Sequence, residues 1–448
     1  METIFFFVDK DLYIRDLLTS DFIRALGDCF RVLVFMRPTA LERNRAYLVE
    51  VPTVEYIAWP MLSDRRLNFF KLLRTIFLRE FDYLAAQRHK KSRIQRTRLT
   101  RVALPIAEVT RSLFTVDFFM RLESRFLARA SIERFRDNFT RYQPSLLLTA
   151  TCGMNNLEAE GILLARRFGL PTVAVDFNWD NLTSKVRNFR RADYLVAWNE
   201  FIRNTAREVH RYPDNRITIA GIIRFDPYFQ VGKSIPSRES FLRSKGLDPA
   251  RRTIVFGSTS HQTYPYQREL IRLLLEWRRA GRFVVPMPNI FVRLHYKDSP
   301  ERYREFLDES GFAFEPHAFT TLDHDIRNLK ATMVYGDVHL NYSSTLSLDA
   351  CALDRPVVSI AFPDEAARQM PNFTFPHYQP LVDIGAVRLA RTEDACLNLI
   401  NQYFEHPELD RAARRQITER YIGLTDGRSY ARTVEAVVAI RERLRCNA

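Results

Sequence analysis

Several stretches of this chain combine hydroxyls, imidazoles and carboxylates in patterns suited to holding a phosphorylated ligand and moving a proton. In the first, a short apolar run from residue 338 ends in Tyr342 and then Ser343, Ser344 and Thr345, and a helical pattern continues to Leu353. Hydroxyls at such a junction cap a helix and leave the N–H groups of its first turn free for an anion such as a diphosphate. Asp349, further along that helix, suits a ribose diol. A plain structural cap is the alternative. A second hydroxyl loop, Ser258, Thr259 and Ser260, follows the apolar run ending at Phe256 and Gly257. His295 follows another such run, between Arg293 and Lys297. An imidazole or imidazolium there would hydrogen-bond a donor phosphate and stabilise a leaving nucleotide, and Arg293 and Arg224 suit the same charge. The alternative for a lone histidine is a structural one. His377 sits in an aromatic and proline-rich loop that either closes over the ligand or simply packs.

Transfer to a hydroxyl needs a base on the acceptor side. Asp176 ends an apolar run, and Asp180 follows between Trp179 and Asn181. Trp179 offers a face for stacking a sugar, and Asn181 a polar acceptor contact. An Asx turn shaping the loop is the alternative. Glu158, after the loop of Thr151, Cys152, Gly153 and Asn155, is a second candidate base. Asp323-His-Asp325 spells an acidic metal motif by chance at a helix start, and no metal is expected. There is no GxGxxG, P-loop or HExxH. The expected co-substrate is therefore an activated nucleotide, with no further cofactor.

The order of these motifs resembles GT-B glycosyltransferases of bacterial surface-polysaccharide synthesis and the related CDP-glycerol glycerophosphotransferases. Strand, Ser343-Ser-Thr, Asp349-Ala and Arg355-Pro-Val resembles their donor-nucleotide motif, with Asp349 where Glu is commoner. Ala220-Gly-Ile-Ile-Arg224-Phe-Asp226 resembles the turn that leads into their donor domain. Phe256-Gly-Ser-Thr-Ser resembles the first strand and loop of that domain. Arg293-Leu-His295 resembles their Arg/Lys-x-His-Pro strand end, with Tyr296 in place of proline. Trp179-Asp-Asn181 has a counterpart in their N-terminal domain, and Asp426-Gly to Arg432 resembles their closing helices. The resemblance implies an α/β GT-B fold: two Rossmann-like domains facing a central cleft, the donor nucleotide held by the second.

The elements that position these residues read as the same grammar. Apolar runs near residues 4–9, 31–36, 54–58, 145–149, 172–176, 193–198 and 217–220 alternate with helical patterns, as in βαβ units. A helical, basic insertion occupies about 62–142. The grammar restarts after a crossing loop at 221–236, with strands near 251–257, 289–294, 338–342 and 357–361. Domains are expected at 1–225, the acceptor side, and 226–448, the donor side with closing C-terminal helices.

The chain has 448 residues and a formal net charge of +14. That balance invites anionic partners. Its densest basic run holds Arg88, Lys90, Lys91, Arg93, Arg96, Arg98 and Arg101, which suits either an anionic membrane surface or a solvated helix face. The five single cysteines form no CxxC pair, which argues against a disulfide framework or a zinc site and fits a reducing cytoplasm. No apolar stretch is long enough to span a membrane. The expectation is a cytoplasmic enzyme, peripheral at the inner face of the membrane. It would move a sugar from a nucleotide donor to a hydroxyl of a surface glycan or glycolipid, without metal. The closest alternative is a CDP-polyol phosphotransferase. A non-catalytic basic module and an epimerase of the same fold are the others, and the lack of any nucleic-acid motif argues against nucleic acid as the partner.

Overall fold

The computed structural model describes residues 1–77, 105, 106, 109, 115–176, 178–185, 192–230, 232, 234–317, 320–369 and 371–446. The chain forms two compact units, one of Met1–Asp226 with Leu424–Ala448 and one of Pro227–Gly423.

The first unit holds a parallel sheet of β1 (Thr3–Phe7), β2 (Arg31–Met36), β3 (Val54–Ala58), β4 (Leu146–Thr149), β5 (Thr172–Val175), β6 (Tyr194–Ala197) and β7 (Ile217–Ile219). Their order is β3-β2-β1-β4-β5-β6-β7. The register pairs Phe5 with Leu33 on one side and with Leu147 on the other. Strands covered on both faces need no polar alternation, so β1 reads Thr-Ile-Phe-Phe-Phe and is buried throughout. Phe5, Phe7, Phe35, Trp59 and Phe135 pack ring against ring on one side of it. The expected helical segment is present as Asp64–Phe77, Val116–Arg125 and Arg129–Tyr142. Leu67, Phe70 and Ile76 of its first helix are buried, and Arg74 forms a buried ion pair with Glu123. The basic run from Arg88 to Arg101 lies outside the described residues.

The chain's last helix, Ser429–Cys446, corrects the expected division at residue 226. The expected boundaries place it in the second domain, yet Val434, Val437 and Ile440 complete the core of the first unit beside Ile14, Leu17 and Phe22. Asp226 holds it there, accepting N–H bonds from Ser429 at 2.9 Å and Tyr430 at 2.8 Å. Arg432 donates to the Ala220 carbonyl at 3.0 Å and pairs with Asp426 at 2.6 Å. Gly221, at φ +92°, leaves no room for a side chain, because a Cβ there would lie 2.5 Å from Ser429 Oγ. Asp226 of the Arg-Phe-Asp turn, with Asp426 and Arg432 of the closing motif, thus fastens this helix.

The second unit holds β8 (Thr253–Gly257), β9 (Asn289–Arg293), β10 (Phe312–Glu315), β11 (Val338–Asn341), β12 (Val357–Ile360) and β13 (Arg388–Ala390). All pair in parallel in the order β10-β9-β8-β11-β12-β13. Two of these strands, β10 and β13, were not anticipated. In each unit the order reverses beside the first strand. There, consecutive connections leave for opposite faces and open a crevice at the carboxyl ends of β1 and β4, and of β8 and β11.

Candidate active site

In the second unit, both strands flanking the reversal end in hydroxyl loops. Gly257 closes β8, and a Cβ on it would lie 2.2 Å from Leu346 Cδ1, so the bare glycine lets the helix Leu346–Ala352 start against the strand end. The Ser343 turn is preformed. At φ +47°, its N–H and hydroxyl both reach Ser359 Oγ, at 3.1 and 3.2 Å. The Ser344 N–H donates to Asn341 Oδ1 at 2.9 Å, and Ser344 Oγ accepts the Leu346 N–H at 3.3 Å. Asn341 also donates to Ser347 Oγ at 3.1 Å, and Ser347 meets the Tyr378 hydroxyl at 2.7 Å. Of the three expected capping hydroxyls, Ser344 bonds into the helix. Ser343 is turned to the neighbouring strand, and Thr345 makes no side-chain cap bond.

His295 is anchored beside the β8 loop. Its N–H donates to Ser258 Oγ at 2.9 Å, and its Nδ1 accepts the Lys297 N–H at 3.2 Å. Burial, reinforced by the Lys297 charge and by His317, pushes the ring down from 6.5 to about 4. The ring is therefore a neutral imidazole at physiological pH, and the imidazolium alternative falls away. Thr259 is fixed through its backbone, its N–H donating to Gln267 Oε1 at 2.7 Å.

Three donor-side expectations need correction. Arg293 does not point at a ligand: only 11 % exposed, it pairs with Asp325 at 2.7 Å and with Glu315 at 3.5 Å. Asp325, part of the discounted acidic motif, is thereby a structural partner. Asp349 is fully buried and accepts the Tyr228 hydroxyl at 2.6 Å, so it faces an internal partner rather than an open diol site. His377 is buried with its ring edge-on to Phe375 at 5.9 Å, so its loop is packed rather than an open cover.

In the first unit, the carboxylates gather at the ends of β1, β4 and β5. Tyr13, on the helix Asp11–Leu18, is buried, and its hydroxyl is pushed up by burial and by the charges of Glu158, Asp180 and Asp176, while Asn181 hydrogen-bonds it. Asn181 also donates to Asp176 Oδ1 at 3.1 Å. Glu158 sits in the first turn of the helix Asn156–Arg167, which Asn155 caps at 2.9 Å. It accepts a short hydrogen bond from the Thr151 hydroxyl. Complete burial overrides that bond and pushes the carboxyl up from 4.5 to about 8. Glu158 therefore favours the protonated form at neutral pH, and its complete burial seals it from an acceptor hydroxyl. Asp176 is 2 % exposed, and Asp180 alone among these carboxylates keeps partial solvent access. Trp179 at 3 % and Asn181 at 0 % exposure are core residues here, not the exposed acceptor contacts expected. Arg224 lines a small pocket of the first unit with Asp176, Trp198 and Thr433.

The sequence reading missed Tyr13, Tyr228, Ser359 and Tyr378. Each lies in an ordinary amphipathic or aromatic stretch, so only the fold brings it to the cluster. Among the described residues no group of three His, Cys, Asp or Glu is placed to hold a metal ion, and no helix is long and apolar enough to cross a membrane.

Residues 161–439, more than half of the chain, match the sequence model of the CDP-glycerol:poly(glycerophosphate) glycerophosphotransferases. The chain belongs to this family. It is thus a transferase, and the matched residues run from the helix bearing Glu158 to the last helix of the first unit. No curated protein matches the glycerophosphotransferase-family chain over its sequence. Solved structures do. UDP-GlcNAc 2-epimerase of Neisseria meningitidis, bound to UDP-GlcNAc, is 11 % identical with a TM-score of 0.57, over 98 % of this chain and 100 % of that one. The Methanocaldococcus jannaschii UDP-GlcNAc 2-epimerase is 13 % identical with a TM-score of 0.54, over 98 % and 99 %. The wall teichoic acid polymerase TagF, soaked with CDPG, is 10 % identical with a TM-score of 0.52, over 99 % and 89 %. At these identities the likeness concerns the fold: two parallel α/β units of GT-B type, as the motif order implied.

Proposed function

We propose that this family member transfers a polyol phosphate from a CDP-linked donor to a hydroxyl of a cell-surface polymer, without a metal ion. The observation that carries the reading is the family match over residues 161–439, which spans Asp176, Asp180, the Ser258 loop, His295 and the Ser343 turn. In this reading the acceptor oxygen attacks the phosphorus of the polyol phosphate as its proton passes to Asp180. The bond from that phosphorus to the bridging oxygen breaks, and CMP leaves. Ser258, Thr259, Ser344 and neutral His295 supply hydrogen-bond donors for the charge that builds on the leaving phosphate. Ser343, Thr345, Asp349, Arg293 and His377 shape this side from behind. The net charge of +14 suits an anionic donor and a phosphodiester acceptor.

Transfer of a sugar from a nucleotide sugar is the competing reading, since the same hydroxyl loops would serve its diphosphate. The burial of Trp179 removes the aromatic face expected to stack on a sugar. Incubation with radiolabelled CDP-glycerol, UDP-sugars and CMP-sugars, each with a polymer acceptor, separates the two. Consumption of CDP-glycerol with release of CMP is expected. Consumption of a nucleotide sugar alone overturns the proposal.

A further inference from the structure

A cavity of about 320 Å³ lies in the second unit, lined by none of the candidate site residues. It opens between the start of the helix Gln267–Arg279, the start of the helix Glu393–Glu405 and the turn at Phe362 and Pro363. Its size is that of a small-molecule site. Leu270 and Phe362 form apolar walls, and the rings of Tyr264 and Tyr266 stand 6.1 Å apart at 55°. Both tyrosine hydroxyls are committed elsewhere, to the Phe362 carbonyl at 3.0 Å and to Glu365 at 2.9 Å. Tyr264 is buried against Tyr342, so the half-buried ring of Tyr266 supplies the aromatic surface.

The rim is acidic. Glu269, Asp364 and Glu393 line the cavity and are exposed, and none of them forms an ion pair among the described residues. The guanidinium of Arg391, the cation on the rim, lies over the Phe373 ring, 5.4 Å from its centre. Three carboxylates against one lining arginine give the rim an acidic balance within a chain of net charge +14. Their spacing does not suit a bare metal, since no three such groups converge among the described residues. Aromatic surface with carboxylates around an apolar floor is the chemistry that takes an ammonium group carried on an apolar frame.

We propose that this cavity binds a small organic cation. The test is calorimetric titration of the full chain with benzyltrimethylammonium, with benzyl alcohol and benzoate as neutral and anionic comparators. Saturable binding at one site is expected for the cation alone, weakening as salt rises. Glu269→Gln and Glu393→Gln should each weaken it roughly two- to fivefold, as for exposed charge pairs, and the double variant more. Unchanged melting temperatures show that these exposed substitutions leave the fold intact, and Asp364→Asn serves in place of either one that does not. Absence of saturable binding, equal binding of benzyl alcohol, or unchanged affinity in the double variant overturns the proposal.

Discussion

Replacing Glu158 by glutamine exchanges a carboxyl that burial holds neutral for an amide of nearly the same shape. The folded carboxyl is pushed up to about 8, against 4.5 for an unburied one. Below pH 4.5 folded and unfolded chains both carry the proton, and the group's contribution to stability is fully present. Between that value and about 8 only the folded chain keeps it, so each added pH unit removes about 1.4 kcal/mol of stability. At pH 7 the wild type has lost roughly 3 kcal/mol in this way. Glutamine does not titrate, and it can still accept from the Thr151 hydroxyl. Other acids titrate alike in both chains and cancel from the comparison. Thermal unfolding of both proteins from pH 5 to 8 should show a gap that widens in the variant's favour as pH rises. At roughly 2–4 °C per kcal/mol, it should reach several degrees by pH 7. Transfer activity should stay within a few-fold of wild type, because a sealed neutral carboxyl is not the base. A gap independent of pH, or a variant that loses ground as pH rises, refutes the neutral, buried Glu158.

Asp180→Asn should lower the transfer rate by roughly two to four orders of magnitude, the range for losing a general base, while equilibrium dialysis finds donor binding unchanged. His295→Ala and Ser344→Ala should each slow transfer by roughly one to three orders of magnitude, and near-normal rates in both would remove the donor-side assignment. Because His295 sits at about 4, the wild-type pH–rate profile should show no inflection from it between pH 5 and 8. In stability the sign is opposite to that of Glu158: the contribution of neutral His295 is present above 6.5 and lost as pH falls towards 4. Arg293→Ala removes the 2.7 Å partner of the buried Asp325, while Glu315 keeps Lys245 at 2.6 Å, and should cost about 3 kcal/mol in urea unfolding.

The central strands were legible because each is a continuous apolar run, as β1, β2 and β8 illustrate. The edge strands β10 and β13 escaped notice because both are short and only partly covered, so neither an apolar run nor a clean alternation marks them. The site was legible as a set of loops but not as a set of directions. Strand ends of four or five residues do not reveal which way a side chain turns. Arg293 turned to Asp325, Ser343 to Ser359 and Trp179 to the core. Partners such as Tyr228, 121 residues from Asp349, carry no local signal at all.

The return of helix Ser429–Cys446 to the first unit has a consequence for how the chain is made. Synthesis delivers residues 1–226 first, then all of Pro227–Gly423, and only afterwards the helix that completes the first core. The second unit, an insertion with its own sheet, is therefore synthesised in full before the first can close its core. During that interval Leu17, Phe22 and Leu26 lack the cover that Val434, Val437 and Ile440 later provide, and Asp226 lacks the N–H groups of Ser429 and Tyr430. The unit translated first is thus the last to close, and its half-built state is the one most exposed to chaperones and to aggregation.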